Sequence, residues 1–181
     1  MMDEREYENW KQTDPYLNHL EAWPAGIFPE AKWHYFKESG CLITSLSIML
    51  CRFRIEQECD PKCFNPWILN ERLKSIGAFT PAADLFISDI CKLYPVVYTG
   101  ELPCSKQELV RLLGAGTPFL VTVPGIRGDR HFVVPDRLTD DGLIIIDPLR
   151  GKTVLTESDI IIDLRVFQIV SAQSLLKGYD S

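Results

Sequence analysis

Histidine is scarce in this chain, with three in 181 residues, so any acid–base chemistry run by an imidazole near neutral pH has few places to occur. Long apolar runs are missing too. No stretch approaches the ~18 apolar residues of a membrane span, which argues against a membrane-embedded chain. Positive charge is in deficit: 19 Lys and Arg stand against 25 Asp and Glu, a net charge of −6. The general attraction to phosphate backbones and anionic lipid is therefore lacking, and neither nucleic acid nor a membrane is expected as a partner. There is no internal repeat, low-complexity tract or Gly/Ser-rich linker, which excludes a solenoid and favours one compact unit. Asp3, Glu4, Glu6 and Glu8 stand where a secretory signal would carry positive charge and an apolar stretch. The expected location is the cytoplasm.

What is present describes an ordinary globular protein, 46% hydrophobic and 24% charged, of a length that suits a single domain over 1–181. Six cysteines would fit a disulfide framework in a small secreted chain, but at this size and without an export signal free thiols are expected. Cys59 and Cys63 form a Cys-x-x-x-Cys pair with no second well-spaced pair, short of a structural zinc site. No metal or organic cofactor is expected. Cys91 and Cys104 read as buried thiols.

The chain divides into a helical part, about 10–115, and a sheet part, about 116–175. From about 41 to 114 apolar residues recur at helical spacing: Leu42, Leu46, Met49 and Leu50, then Ile68, Leu69, Leu73 and Ile76, then Leu85, Phe86, Ile90 and Leu93. Asn65-Pro66 reads as an N-cap with proline in the first turn, Gly77 ends that helix, and Thr80-Pro81 opens another. Ser105 and Glu108 have capping-box spacing. After Gly116 the pattern becomes short β-branched runs, Phe119 to Val123, His131 to Val134 and Leu143 to Ile146, with a hairpin signal at Asp141-Gly142. A helical turn around Thr156 to Ile161 and a strand over Arg165 to Val170 complete the expectation. Helices followed by antiparallel strands make the fold class α+β.

Within this frame three residues form a chemical constellation. His131 opens a strand directly after a polar turn, where an imidazole can face a cleft. The next strand ends at Asp147-Pro148, so the hairpin brings a carboxylate beside that ring, a base with its orienting acid. Cys41 follows the turn Ser39-Gly40 and begins a helix, and a helix N-terminus with a nearby imidazolium favours thiolate.

Four segments then carry a family resemblance: Lys11-Gln12-Thr13-Asp14-Pro15-Tyr16; Glu38 to Leu46 around Gly40-Cys41; Asp60-Pro61-Lys62 with Asn65-Pro66-Trp67 through Gly77-Ala78-Phe79; and Gly116-Thr117-Pro118 to Val123 with His131-Phe132-Val133-Val134 and Asp147-Pro148. In this order and spacing, over about residues 11 to 150, the sequence resembles papain-like cysteine peptidases of the bacteriocin-processing, double-glycine type and their short bacterial and phage relatives. The resemblance implies a papain-like fold with the nucleophile helix packed on a C-terminal antiparallel sheet. It also implies that Cys41 attacks an amide carbonyl, His131 acts as base and then acid, and Asp147 orients the ring. Gln12 and the Cys41 backbone N–H would donate to the oxyanion.

The implied activity is hydrolysis of a peptide or isopeptide bond in a peptide, protein or cell-wall peptide, through a thioester. Transamidation or deamidation shares the same acyl-enzyme. The competing expectation is a catalytically silent papain-like module, such as a virion component or an inhibitor acting by contact. Candidate substrate-binding residues are Trp33, in a Pro-rich interval that could line a groove, Gly40 beside the nucleophile, and Arg130 at the end of the turn from Pro124. That turn could bind a carboxylate or phosphate, or serve as a loop flanking the cleft.

Overall fold

The computed structural model describes residues 6–12, 40–57, 60, 63–79, 85–125 and 128–170. The α-helices are α1 (Cys41–Arg52), α2 (Pro66–Ser75) and α3 (Lys106–Gly114), with short 3-10 helices at Glu6–Asn9 and Ile87–Lys92. The strands are β1 (Val96–Leu102), β2 (Phe119–Pro124), β3 (Arg130–Thr139), β4 (Gly142–Asp147), β5 (Gly151–Leu155) and β6 (Asp163–Ile169). They form one six-stranded sheet in the order β1-β6-β2-β3-β4-β5, with every pairing antiparallel. The fold is α+β. No helix among the described residues is long and apolar enough to cross a membrane.

The sheet is a middle layer. Because side chains alternate between faces along a strand, Leu120, Val134, Ile146 and Phe167 meet Ile43, Leu46, Met49 and Leu50 of α1 and Leu69 and Leu73 of α2 on one side. Their neighbours Val121, Val133, Ile145 and Val166 meet Leu109 and Leu112 of α3 on the other. Burial on both faces explains why these strands read as unbroken apolar runs. It also corrects the division into a helical part and a sheet part. β1 arises inside the region expected to be helical, between the second 3-10 helix and α3, and pairs with β6 from Val96↔Ile169 to Leu102↔Leu164.

Local signals account for most helix starts. Asn65 Oδ1 accepts the Ile68 N–H at 3.1 Å, with Pro66 in the first turn. Ser105 Oγ accepts the Glu108 N–H at 3.1 Å, but the Glu108 carboxylate turns to Arg111, so only half of the capping box forms. Leu85 to Leu93 holds a 3-10 helix with Phe86 exposed where an α-helix is expected. The segment from Thr156 is a turn closed by Asp159, whose carboxylate accepts the Thr156 N–H at 2.6 Å, and not a helical turn. Thr80-Pro81 lies outside the described residues.

The β3–β4 hairpin turns at Asp140-Asp141, one residue earlier than expected, with Gly142 already paired to Thr139. Glycine is required at 142 because its φ is +135° and a Cβ would lie 2.1 Å from the Leu155 carbonyl oxygen of β5.

Two polar links fasten α1 to β3. Near the helix start, Ser45 Oγ donates to Phe132 O at 2.7 Å. At its end, Arg52 Nη2 donates to Asp136 O at 2.8 Å and lies 2.7 Å from Asp136 Oδ1. Asp136 also holds Arg137 and Lys152, and Lys152 reaches Glu8, so one carboxylate ties together α1, β3, β5 and the N-terminal segment. The expectation of free thiols fails at Cys51, which is disulfide-bonded to a partner outside the described residues. Cys41, Cys91 and Cys104 carry free thiols, and Cys91 is exposed where a buried thiol is expected.

Candidate active site

α1 begins at Cys41 with Gly40 as its N-cap, and Gly40 supplies no capping side chain. A helix leaves its first N–H groups without intrahelical partners, and a serine or aspartate cap would occupy one of them. Glycine has no side chain with which to occupy it. Gly40 is itself buried and its carbonyl accepts the Thr44 N–H at 2.8 Å, which closes the first turn. The Cys41 residue is half-buried.

His131 is the second residue of β3, opposite Val123 of β2. Asp147 ends β4, and the pairing of Val134 with Ile146 puts Asp147 diagonally across from His131 on the same face, within reach of a long side chain. His131 Nε2 lies 2.8 Å from Asp147 Oδ1. The same oxygen accepts the Leu149 N–H at 2.7 Å, an aspartate bonding its own backbone two residues on, so the carboxylate is fixed before the ring meets it. The Cys41 side chain is the other group that raises the imidazole, which puts the thiol in the neighbourhood of the ring.

The electrostatics follow from these contacts. Burial works against a charged ring, but the hydrogen bond to Asp147 and the influence of the Asp147 and Cys41 side chains outweigh it, and His131 is pushed up to about 9. Burial would raise the Asp147 carboxyl, yet the imidazole and the Leu149 N–H hold it below the usual carboxylate range. An imidazole held between a carboxylate and a thiol can take the thiol proton and return it to a leaving group, which suits covalent chemistry at sulfur.

The structure therefore brings Cys41, His131 and Asp147 together from a helix start and two adjacent strands. Gln12 is buried, and its backbone N–H donates to Pro148 O at 3.1 Å, which ties the N-terminal segment to the residue after Asp147. Arg130 is exposed at the start of β3, with Nη1 3.9 Å from Asp163 Oδ2. Trp33 lies outside the described residues.

The sequence reading missed a second polar group at this end of the sheet. Asp163 and Arg165, both buried, are paired through Nε–Oδ1 at 2.9 Å and Nη2–Oδ2 at 3.2 Å. Thr122 donates to Asp163, while Arg165 also reaches Glu101 and Tyr98 Oη. The i, i+2 spacing puts both on one face of a strand, and that alternation was the available signal. No protein-family model, curated protein or solved structure matches the chain.

Proposed function

We propose that this protein is a papain-like cysteine hydrolase that cleaves a peptide or isopeptide bond through Cys41, His131 and Asp147. The observation that carries the reading is the 2.8 Å contact of His131 Nε2 with Asp147 Oδ1, with the Cys41 thiol at the start of α1 acting on the same ring. Within it, the Cys41 proton passes to His131, and the thiolate attacks the amide carbonyl carbon to form a tetrahedral oxyanion. The Gln12 side chain, with the Cys41 backbone N–H as second donor, stabilises that charge. His131 then gives its proton to the leaving amine as the C–N bond breaks, leaving a thioester. Water, deprotonated by His131, attacks the thioester and releases the acid, and the proton returns to sulfur. Asp147 holds the ring in one orientation and stabilises its charged form throughout.

The test is alkylation by iodoacetamide at each cysteine as a function of pH, read by peptide mass spectrometry, in the wild type and in His131→Ala. Cys41 is expected to react faster near neutral pH than Cys91 and Cys104, and to lose that advantage in the variant. A Cys41 that reacts no faster than Cys91 or Cys104 and ignores the loss of His131 would overturn the reading and leave a silent binding module in its place.

A further inference from the structure

Two serines stand two residues apart in α1 and use their hydroxyls differently. Ser47 Oγ donates back to Ile43 O at 2.9 Å, the i−4 bond commonly made by a serine inside a helix. Ser45 forgoes it. Its Oγ leaves the helix and donates to Phe132 O of β3 at 2.7 Å, and Ser45 is fully buried. Ser45 lies one turn after Cys41, so both residues project from the same face of α1. Phe132 directly follows His131. The Ser45–Phe132 link thus lies one turn further along the helix than Cys41 and one residue further along the strand than His131.

We propose that Ser45 is a positioning residue whose hydroxyl sets the separation between the Cys41 thiol and the His131 imidazole. The inference rests on the cysteine-hydrolase reading and deepens it. The far end of α1 is held independently by Arg52 on Asp136, so loss of the Ser45 bond leaves the helix attached and releases the turn that carries the nucleophile. Apolar packing against β3 tolerates small displacements along the strand, whereas a directional bond at 2.7 Å does not. Proton transfer between sulfur and nitrogen is sensitive to displacements on this scale.

The experiment compares Ser45→Ala, Ser45→Thr and Ser47→Ala with the wild type. Readouts are the pH profile of iodoacetamide alkylation at Cys41, the imidazole titration of His131 by NMR, and thermal melting. Ser45→Ala is expected to slow Cys41 alkylation at neutral pH by roughly ten- to hundred-fold and to shift both titrations. Ser47→Ala, which removes an equivalent hydroxyl from the same helix, is expected to leave both profiles in place. Ser45→Thr, if it folds, restores the hydroxyl and the profile. Wild-type behaviour in Ser45→Ala overturns the inference, as does an equal loss in Ser47→Ala, which would reduce the effect to helix stability. A Cys41 rate unaffected by His131→Ala overturns the hydrolase reading itself, so the two failures are distinguishable.

Discussion

Two buried ion pairs lie at the same end of the sheet, His131–Asp147 on β3 and β4 and Arg165–Asp163 on β6, and they are finished differently. The strands that carry them are separated only by β2, a distance of roughly 10 Å between β3 and β6. Arg165 has a fixed charge and commits four of its five N–H groups: two go to Asp163 and one each to Tyr98 and Glu101. His131 has one carboxylate behind it and a thiol before it, and its charge changes within an accessible pH range. A pair that is complete holds the fold, while a pair that ends on a thiol is the one to which the proposed reading gives chemistry. The difference lies in what occupies the last hydrogen-bonding position, since burial is nearly the same in both.

The comparison breaks most sharply at Asp163. Asp163→Ala leaves the Arg165 guanidinium buried without its main counter-charge, and urea unfolding is expected to show a loss of about 3–5 kcal/mol. Asp147→Asn should act on titration more than on folding. His131 is expected to fall from about 9 toward its ordinary value near 6.5 by NMR titration, and Cys41 alkylation at neutral pH to slow by roughly a hundred-fold.

The pH dependence of stability separates the pairs further. His131 has a higher pKa in the folded chain than its ordinary 6.5, so its contribution is complete below that value and is lost as pH rises through about 9. Asp147 is depressed below 3.8, so its contribution is present above that value and fades as pH falls. Unfolding free energy should therefore decline on the alkaline side, a slope that Asp147→Asn flattens. Asp163→Ala should lower the whole curve there without flattening it, because Arg165 stays charged. The smallest effect belongs to Arg130, whose side chain is 54% exposed at 3.9 Å from Asp163. Arg130→Ala should change stability by about 0.5 kcal/mol or less, measured in the same urea titrations.

The site was more legible in the sequence than the sheet that supports it. Cys41, His131 and Asp147 stand at boundaries marked by Gly40, by a polar turn and by Asp147-Pro148, and boundaries are local features. α2 announced itself through Asn65-Pro66. β1 did not, because Val-Val-Tyr-Thr-Gly-Glu-Leu mixes polar residues and a glycine, and its partner β6 is remote in sequence. β5 is a five-residue edge strand, too short to separate from a turn. Asp163 fell outside the expected strand because a charged residue reads as exposed until its partner is known. Cys51 was equally opaque, since a cysteine in an apolar helix resembles any small buried side chain. Ser45 and Ser47 look alike in sequence, and only the strand opposite tells them apart.

The order of the strands bears on when the protein can work. Among the described strands β6 is the last to leave the ribosome, yet it lies between β1 and β2, so the sheet cannot close around its middle until residues 163–169 have emerged. A nascent chain already holds Cys41, His131 and Asp147 by then, but the buried Asp163–Arg165 pair is unmade and β2 is an open edge. Such a chain has most of its contacts still to form over long sequence separations, which slows folding. Synthesis itself thus delays assembly of the complete sheet until after Cys41, His131 and Asp147 have all been made.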